Sequence, residues 1–189
     1  VEIGNDVYMQ YEKLEGGKYK ELSNKNVDTG FGLDRLLLFL NGLDDGYKTD
    51  LFIDSINYLE KVSGKSYDND EQARKAMRII ADHMRTSVML IGDANGITPS
   101  NTGAGYILRR LLRRAIRYCK NIGLETKELS AVAKIFIEKI YDTAYPLLVE
   151  KEDYVLEEIQ KECKKFEATL ASGMKEFEKA IIGMERKNA

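Results

Sequence analysis

Hydrophobic and polar residues follow two different periods along the chain, a period of two before residue 32 and a helical period after it. Residues 7–11 read VYMQY and alternate in the manner of a strand rich in β-branched and aromatic side chains. Residues 15–18, EGGK, predict a hairpin turn that leads into a short return strand at 19–22. A further strand with two glycines is predicted at 26–32. The pattern therefore predicts a small antiparallel β segment at the start of the chain.

Apolar residues after residue 32 recur every three or four positions, which predicts helices and no further strand. Capping residues, glycines and one proline set the expected ends of these helices. The predicted helices span residues 33–40, 49–62, 68–91, 103–122, 127–145 and 147–182. The predicted fold class is therefore α+β and mostly α, with the β segment followed by an all-helical block. Residues 41–47 are the best candidate for a hinge.

Composition marks a globular, helix-rich protein: 43% of the 189 residues are hydrophobic, 32% are charged and two are proline. No run of 18 apolar residues and no leader pattern occurs, so we expect no membrane partner and no signal peptide. Cys119, Cys163 and the lone His83 cannot complete a metal set, which predicts no metal site and two reduced thiols in a cytoplasmic protein. The chain opens without an initiator methionine and stops directly after a helix, so we expect a fragment of a longer protein.

Six basic residues crowd the predicted helix at 103–122, although the whole chain has a net charge of −2. No acidic residue lies between residues 97 and 124, so no partner at helical spacing neutralises the charges. Such a ridge suits a polyanion, since each arginine can replace a counterion at a phosphate. Two other interpretations stay open: the solvated side of an amphipathic helix, and a scaffold that binds an acidic protein. We define the basic ridge as Arg109, Arg110, Arg113, Arg114, Arg117 and Lys120.

Short polar side chains at residues 100–103, SNTG, stand at the start of that helix. Such residues can cap a helix and can also reach a base edge. The rival hypotheses at this point are an enzyme, a stand-alone RNA-binding module without catalysis, and the helical scaffold.

Residues 29–35 read TGFGLDR and form the second informative string. Two glycines leave room for a flat ligand against the backbone, and Arg35 can reach a phosphate from the next helix. Asp28 could hold a substrate ammonium or could serve as a turn residue. The alternative is a glycine-softened strand end with a surface arginine.

This string resembles motif 3 of the class II aminoacyl-tRNA synthetases, whose pattern is glycine–apolar–glycine–apolar–acid–arginine. Four further strings resemble the alanyl-tRNA synthetase family and stand in that family's order, at residues 2–11, 47–52, 80–85 and 99–110. The resemblance implies a ligase that attaches alanine to tRNA(Ala) through alanyl-adenylate, with ATP and Mg²⁺.

The family's functional residues can be carried over where the motifs match. The resemblance implies that Asp28 holds the alanine ammonium, with Asn5 and Gly30 lining the same pocket. It implies that Arg35 is catalytic and binds ATP phosphate beside Gly32. In the helical block it implies that Asn101 reads the acceptor-stem G·U pair. The implied contacts to the stem backbone are Arg109, Arg110, Arg113, Arg114 and Arg117.

Departures from the family pattern limit what this chain is expected to do. Gly4 stands where bacterial members commonly carry tryptophan, and Asp34 replaces a glutamate. Motifs 1 and 2, the second reader of the wobble pair and the zinc-binding editing domain are not found, so zinc is expected only in that editing domain. We therefore expect residues 1–42 to be the end of the aminoacylation domain and residues 43–189 to be a helical tRNA-recognition domain. The fragment itself is expected to hold no cofactor, to lack activity, and to bind the acceptor stem rather than DNA.

Overall fold

The computed structural model describes the backbone of residues 2–188 and the side chains of residues 2–182. The chain forms two compact units, one up to Ile53 and one from Asp54 onward. The predicted α+β, mostly α fold class is confirmed. No helix in the described part of the chain has both the length and the apolar character needed to cross a lipid bilayer.

The first unit is built on an antiparallel hairpin of β1 (Gly4–Lys13) and β2 (Tyr19–Phe31). A turn at Glu15–Gly17 joins the strands, with φ of 76° at both Gly16 and Gly17, where only glycine is free of strain. The predicted separation of β2 into two strands is wrong. The pairing shifts from Met9↔Asn26 to Tyr11↔Glu21, and this bulge absorbs the polar residues between the two predicted strands without ending β2.

Neither face of this two-stranded sheet is buried. The neighbouring residues Val7 and Tyr8 point to opposite faces and are 50% and 72% exposed, although both residue types favour half-buried strands. Helix α1 (Leu33–Leu40) follows β2 as predicted, and a short 3₁₀ turn at Gly46–Lys48 comes next. Two strands without a covered face are marginal in water, so the hairpin depends on what covers it.

The described residues of the second unit form helices joined by loops, with no strand among them. A single core forms between these helices, because each presents its apolar residues at i, i+3 and i+4. Members of that core with no exposed surface include Leu59, Met77, Ile80, Met84, Leu108, Leu112, Ile116 and Phe136. The helices are α2 (Ile53–Ser63), α3 (Glu71–Gly92), α4 (Gly103–Asn121), α5 (Lys127–Ile135), α6 (Pro146–Glu150) and α7 (Glu152–Asn188).

Helix ends differ from prediction where side chains or wider turns intervene. Helix α2 starts at Ile53 and not at residue 49 as predicted. The Thr49 hydroxyl donates to the Gly46 carbonyl and therefore does not cap the helix. Asp70 caps α3 by accepting from the Ala73 N–H at 2.9 Å. The predicted helix at 127–145 ends early: α5 widens into a π-helical turn at Phe136–Ile140. The Asp142 side chain then accepts from its neighbour's N–H at 2.7 Å, which competes with helix continuation.

Helices α6 and α7 replace the single long helix predicted from residue 147. Pro146 begins α6, since a proline in the first turn loses no hydrogen bond there. The break falls at Lys151, whose ammonium donates to the Asp93 carbonyl at 2.6 Å. Helix α4, which carries the basic ridge, lies within one residue of its predicted bounds.

Candidate functional site

The strand register gathers the residues predicted to bind alanine on one face of the hairpin. Asn5 pairs with Gly30 and Val7 pairs with Asp28. Because side chains alternate between faces, Asn5, Asp28 and Gly30 share a face. All three are exposed, and a Cβ on Gly30 would lie 3.7 Å from Asn5 Oδ1. The arrangement offers a carboxylate and an amide beside bare backbone, which suits a small ligand carrying an ammonium group.

The glycine and arginine predicted to bind ATP lie together at the end of the same hairpin. Gly32 is the N-cap residue of α1, and its N–H donates to the Ile3 carbonyl at 2.9 Å. The stem of Arg35 folds back over this glycine, so that a Cβ there would lie 3.2 Å from Arg35 Cδ. Arg35 Nη1 donates to the Glu2 carbonyl at 3.0 Å. The exposed guanidinium is thereby oriented, with further N–H groups for a phosphate.

Phe31 lies against the position where the resembling family commonly carries tryptophan. Gly4 and Phe31 are cross-strand partners. A Cβ on Gly4 would lie 2.6 Å from Phe31 Cδ1 and 2.8 Å from the Gly30 carbonyl oxygen. The aromatic ring covers the glycine, so no larger residue fits at position 4 without a shift of β2.

Three arginines of the basic ridge form an exposed stripe on α4. Arg110, Arg114 and Arg117 are all exposed, and their spacing of four and three residues aligns them along one side of the helix. Arg110 lies 5.7 Å from the centre of the Tyr106 ring, and Arg114 and Arg117 each lie 5.9 Å from the Tyr118 ring. These cation–π contacts orient the guanidiniums along the surface without neutralising them. We call these three residues the arginine stripe.

The remaining members of the basic ridge have acidic partners on α7. Arg113 Nε donates to Glu162 Oε1 at 2.6 Å, and Arg109 Nε lies 3.5 Å from Glu162 Oε2. Lys120 lies 3.0 Å from Glu167. The expectation that the ridge lacks acidic partners therefore holds only within its own helix.

Glu162 is a residue that sequence reasoning misplaces. The mixture of glutamates and lysines in the last helix is typical of a mostly solvated face, but Glu162 is only 4% exposed. A signal is present in its spacing: Val155, Ile159 and Cys163 are buried apolar residues of α7, and Glu162 lies on the side that they define. A buried carboxylate at such a position requires a cationic partner.

Asn101 is exposed at the start of α4 and is held by Arg109. Arg109 Nη1 donates to Asn101 Oδ1, and Arg109 Nη2 donates to the Pro99 carbonyl at 3.2 Å. Thr102 is the N-cap residue, and its side chain makes no capping bond. The amide of Asn101 is thus bound to a guanidinium and does not cap the helix.

Both cysteines are free and buried in the second unit. Burial raises the pKa of the Cys119 thiol to about 12, and the nearby Glu128 carboxylate adds to the rise. Burial likewise raises the pKa of Cys163 to about 12. Within the described residues, no group of three or more His, Cys, Asp and Glu side chains could hold a metal ion.

Comparison with known proteins agrees with these motifs. A family model for tRNA synthetases class II (A) matches residues 1–189. The alanine–tRNA ligase of Borrelia hermsii is 43% identical over 187 residues, which cover 99% of this chain and 31% of that protein. The alanine–tRNA ligase of Treponema pallidum is 38% identical over 96% of this chain and 30% of its own length. That of Lactococcus lactis is 37% identical over 98% of this chain and 21% of its own length.

The chain thus spans less than a third of the length of these relatives. The match extends over both units, from the hairpin that carries Asp28 and the helix α1 that carries Arg35 to the helix that carries the arginine stripe. By this coverage and identity, the chain belongs to the class II tRNA synthetases of the alanine type.

Proposed function

We propose that this chain serves an alanine–tRNA ligase in two ways: its helical unit recognises the tRNA(Ala) acceptor stem, and its hairpin contributes to alanyl-adenylate formation. The single observation that carries the proposal is the exposed Asn101 at the start of the helix that bears the arginine stripe. The alternatives of a non-catalytic RNA-binding module and a scaffold for an acidic protein are tested below.

The arginine stripe supplies affinity without sequence preference. Arg110, Arg114 and Arg117 are exposed and have no acidic partner among the described side chains, so each can release a counterion at a phosphate. Arg109 and Arg113, also expected to contact the stem, are engaged by Glu162, and we assign them a supporting role. The stripe therefore accounts for binding to the stem backbone.

Asn101 supplies the sequence-dependent contact. The base edges of an RNA duplex are accessible in its shallow minor groove, which a short polar side chain can enter. A side-chain amide beside a line of phosphate contacts can reach that groove while the stripe holds the backbone. We assign to Asn101 the reading of the G·U pair. The preference for tRNA over DNA follows from the shallow minor groove of the RNA duplex.

The hairpin supplies part of the activation site. Asp28 pairs with the alanine ammonium, while Asn5 and Gly30 limit the pocket to a small side chain. In adenylate formation a carboxylate oxygen of alanine attacks the α-phosphorus of ATP, and pyrophosphate leaves. Arg35, oriented over Gly32, stabilises the negative charge that shifts toward the leaving group.

The remaining requirements of that reaction lie outside this hairpin. The family generally uses ATP with Mg²⁺. The described side chains form no cluster of three or more metal ligands, and substrate phosphates and water supply most ligands of Mg²⁺ in nucleotide sites. We assign residues 1–42 to the aminoacylation domain and residues 43–189 to tRNA recognition. We assign zinc to the editing domain. We assign the protein to the cytoplasm, a compartment in which free thiols such as those of Cys119 and Cys163 stay reduced.

Binding measurements with three polyanions test the proposed role of the helical unit. The chain is titrated with an RNA acceptor-stem minihelix, with a DNA hairpin of the same sequence and with polyglutamate. We expect salt-dependent binding that is tightest for the RNA. The Arg117→Gln variant should bind the RNA less tightly, and the matched Lys179→Gln variant, whose lysine pairs with Glu176 on α7, should not change. Preferential binding of polyglutamate would favour the scaffold instead.

A further inference from the structure

We propose that Glu162 is a positioning residue for RNA recognition: it holds Arg109, and Arg109 in turn sets the orientation of the Asn101 amide. This inference rests on the proposed function of Asn101 and extends it to a residue on another helix. Glu162 touches no RNA in this account and acts only through Arg109.

The first step is the environment of the carboxylate. Glu162 is 4% exposed and stands between two guanidiniums, with Arg113 Nε at 2.6 Å and Arg109 Nε at 3.5 Å. The longer contact lies outside hydrogen-bond geometry, so attraction between the charges is its main component. The Glu162 carboxylate thus interacts with two positive charges. If either guanidinium moved away, the buried carboxylate would lose part of the attraction that offsets its desolvation.

The second step is the direction of Arg109. Its Nε faces Glu162, and its two terminal nitrogens face the loop before α4. Nη2 donates to the Pro99 carbonyl and Nη1 donates to Asn101 Oδ1. Arg109 is only 8% exposed, in contrast to the arginine stripe. Its guanidinium therefore bridges α7 and the loop, and it is not placed for a phosphate.

The third step is the polarity of the Asn101 amide. A guanidinium has N–H groups and no acceptor, so only the oxygen of the Asn101 amide can face it. The NH₂ group then remains for a ligand. It can donate to an acceptor atom on a base edge or to a ribose hydroxyl, and the fixed orientation removes the alternative in which Oδ1 faces the RNA. An oriented donor binds with a smaller loss of side-chain freedom than a rotating one.

Three variants of the full-length protein separate positioning from general support. Glu162→Gln removes the charge and keeps the shape, and Arg109→Lys keeps the charge and loses the forked contact to the loop. Arg113→Lys is the matched control, since Arg113 touches Glu162 but makes no hydrogen bond to the loop. Each variant is titrated with minihelices that carry a G·U or a G·C pair, after its thermal unfolding has been measured.

We expect Glu162→Gln and Arg109→Lys to lower the G·U preference roughly fivefold or more, the size of loss expected for a weakened base contact. Affinity for the G·C stem should change by less than about twofold, and Arg113→Lys should keep the wild-type preference. In an Asn101→Ala background, neither Glu162→Gln nor Arg109→Lys should change the preference further. In the chain itself, the side-chain amide NMR signals of Asn101 should shift in both variants and stay in place in Arg113→Lys. If Glu162→Gln unfolds, Arg109→Lys decides the outcome.

The outcomes distinguish this inference from the function on which it rests. If Asn101→Ala abolishes the preference while Glu162→Gln and Arg109→Lys retain it, the positioning role is wrong and the reading role stands. If Arg113→Lys lowers the preference equally, the network supports the fold in general and the positioning role is again wrong. If Asn101→Ala keeps the preference, the reading role fails and the inference fails with it.

Discussion

Arg113 on α4 donates a 2.6 Å hydrogen bond to Glu162 on α7, although the two residues are 49 positions apart in the sequence. The same guanidinium lies 5.0 Å from the centre of the Phe166 ring, one turn further along α7. Arg113 therefore ties the helix of the basic ridge to the last helix by a charged contact and an aromatic contact. The ridge is in part a structural element, and only its exposed side is free for a ligand.

Removal of the buried carboxylate should strongly destabilise the second unit. We expect Glu162→Ala to lower the free energy of unfolding by about 3–5 kcal/mol, because two guanidiniums lose their shared partner. Urea unfolding followed by circular dichroism measures this change. Glu157→Ala is the matched control: Glu157 is exposed and pairs with Lys161 at 2.9 Å, a surface contact that contributes less than about 1 kcal/mol. Equal effects of the two substitutions would contradict a structural role for Glu162.

A side chain at position 4 should disturb the hairpin. In Gly4→Ala the new Cβ would meet the Phe31 ring and the Gly30 carbonyl, and the backbone oxygen cannot rotate away. We expect a cost of about 1–3 kcal/mol, as for other overpacked sites, and reduced protection of the β2 amides in hydrogen exchange. Gly46→Ala is the control, since no atom beyond its two chain neighbours lies within 4 Å of the position that its new methyl group would occupy. Unchanged protection in Gly4→Ala would show that the ring and strand give way easily.

The two thiols should be unreactive in the native protein. With pKa values raised to about 12, their thiolate fraction at pH 8 is lower by roughly a thousandfold than that of a free cysteine. A thiol reagent should therefore label them only after denaturant is added. Rapid labelling of both cysteines in the folded chain would contradict their burial.

The same pKa values predict how stability depends on pH at the alkaline end. Between the ordinary value of 9.0 and about 12, the unfolded thiols release protons while the folded ones keep them. The unfolded state then binds fewer protons, so the free energy of unfolding falls as pH rises through this window. A Cys119→Ser, Cys163→Ser variant should show a smaller fall. If the free energy of unfolding falls equally in both proteins, groups other than the two thiols cause the fall.

Substitutions at Asp28 in the hairpin and at Arg35 in α1 should separate the effects on the two small substrates, alanine and ATP. In the full-length enzyme, Asp28→Asn should mainly raise the KM for alanine, and Arg35→Ala should mainly weaken ATP use and adenylate formation. Charge-assisted contacts contribute roughly 1.5–3 kcal/mol, so effects of about 10- to 150-fold are expected. Alanine-dependent pyrophosphate exchange provides both parameters. Normal kinetics in both variants would contradict the assignment of this face as the activation site.

The periodic parts of the fold can be predicted from sequence, and the contacts between helices cannot. Helix α4 is predicted within one residue, because its apolar residues recur over five turns and glycine marks both ends. The continuous β2 escapes prediction because a bulge is a property of two strands and has no local signature here. The spacing of Glu162 with Val155 and Ile159 marks its buried side, but its arginine partners escape prediction because they lie on another helix.

The most direct test of the account is the ratio of affinities for G·U and G·C minihelices, measured for the wild-type full-length protein and for Asn101→Ala at several salt concentrations. We predict that Asn101→Ala removes most of the G·U preference, on the order of 1–3 kcal/mol, and leaves G·C binding nearly unchanged. Arg117→Ala should weaken both complexes alike. It should also reduce the slope of log affinity against log salt concentration by about one unit. An Asn101→Ala variant that loses affinity equally for both stems would contradict the account.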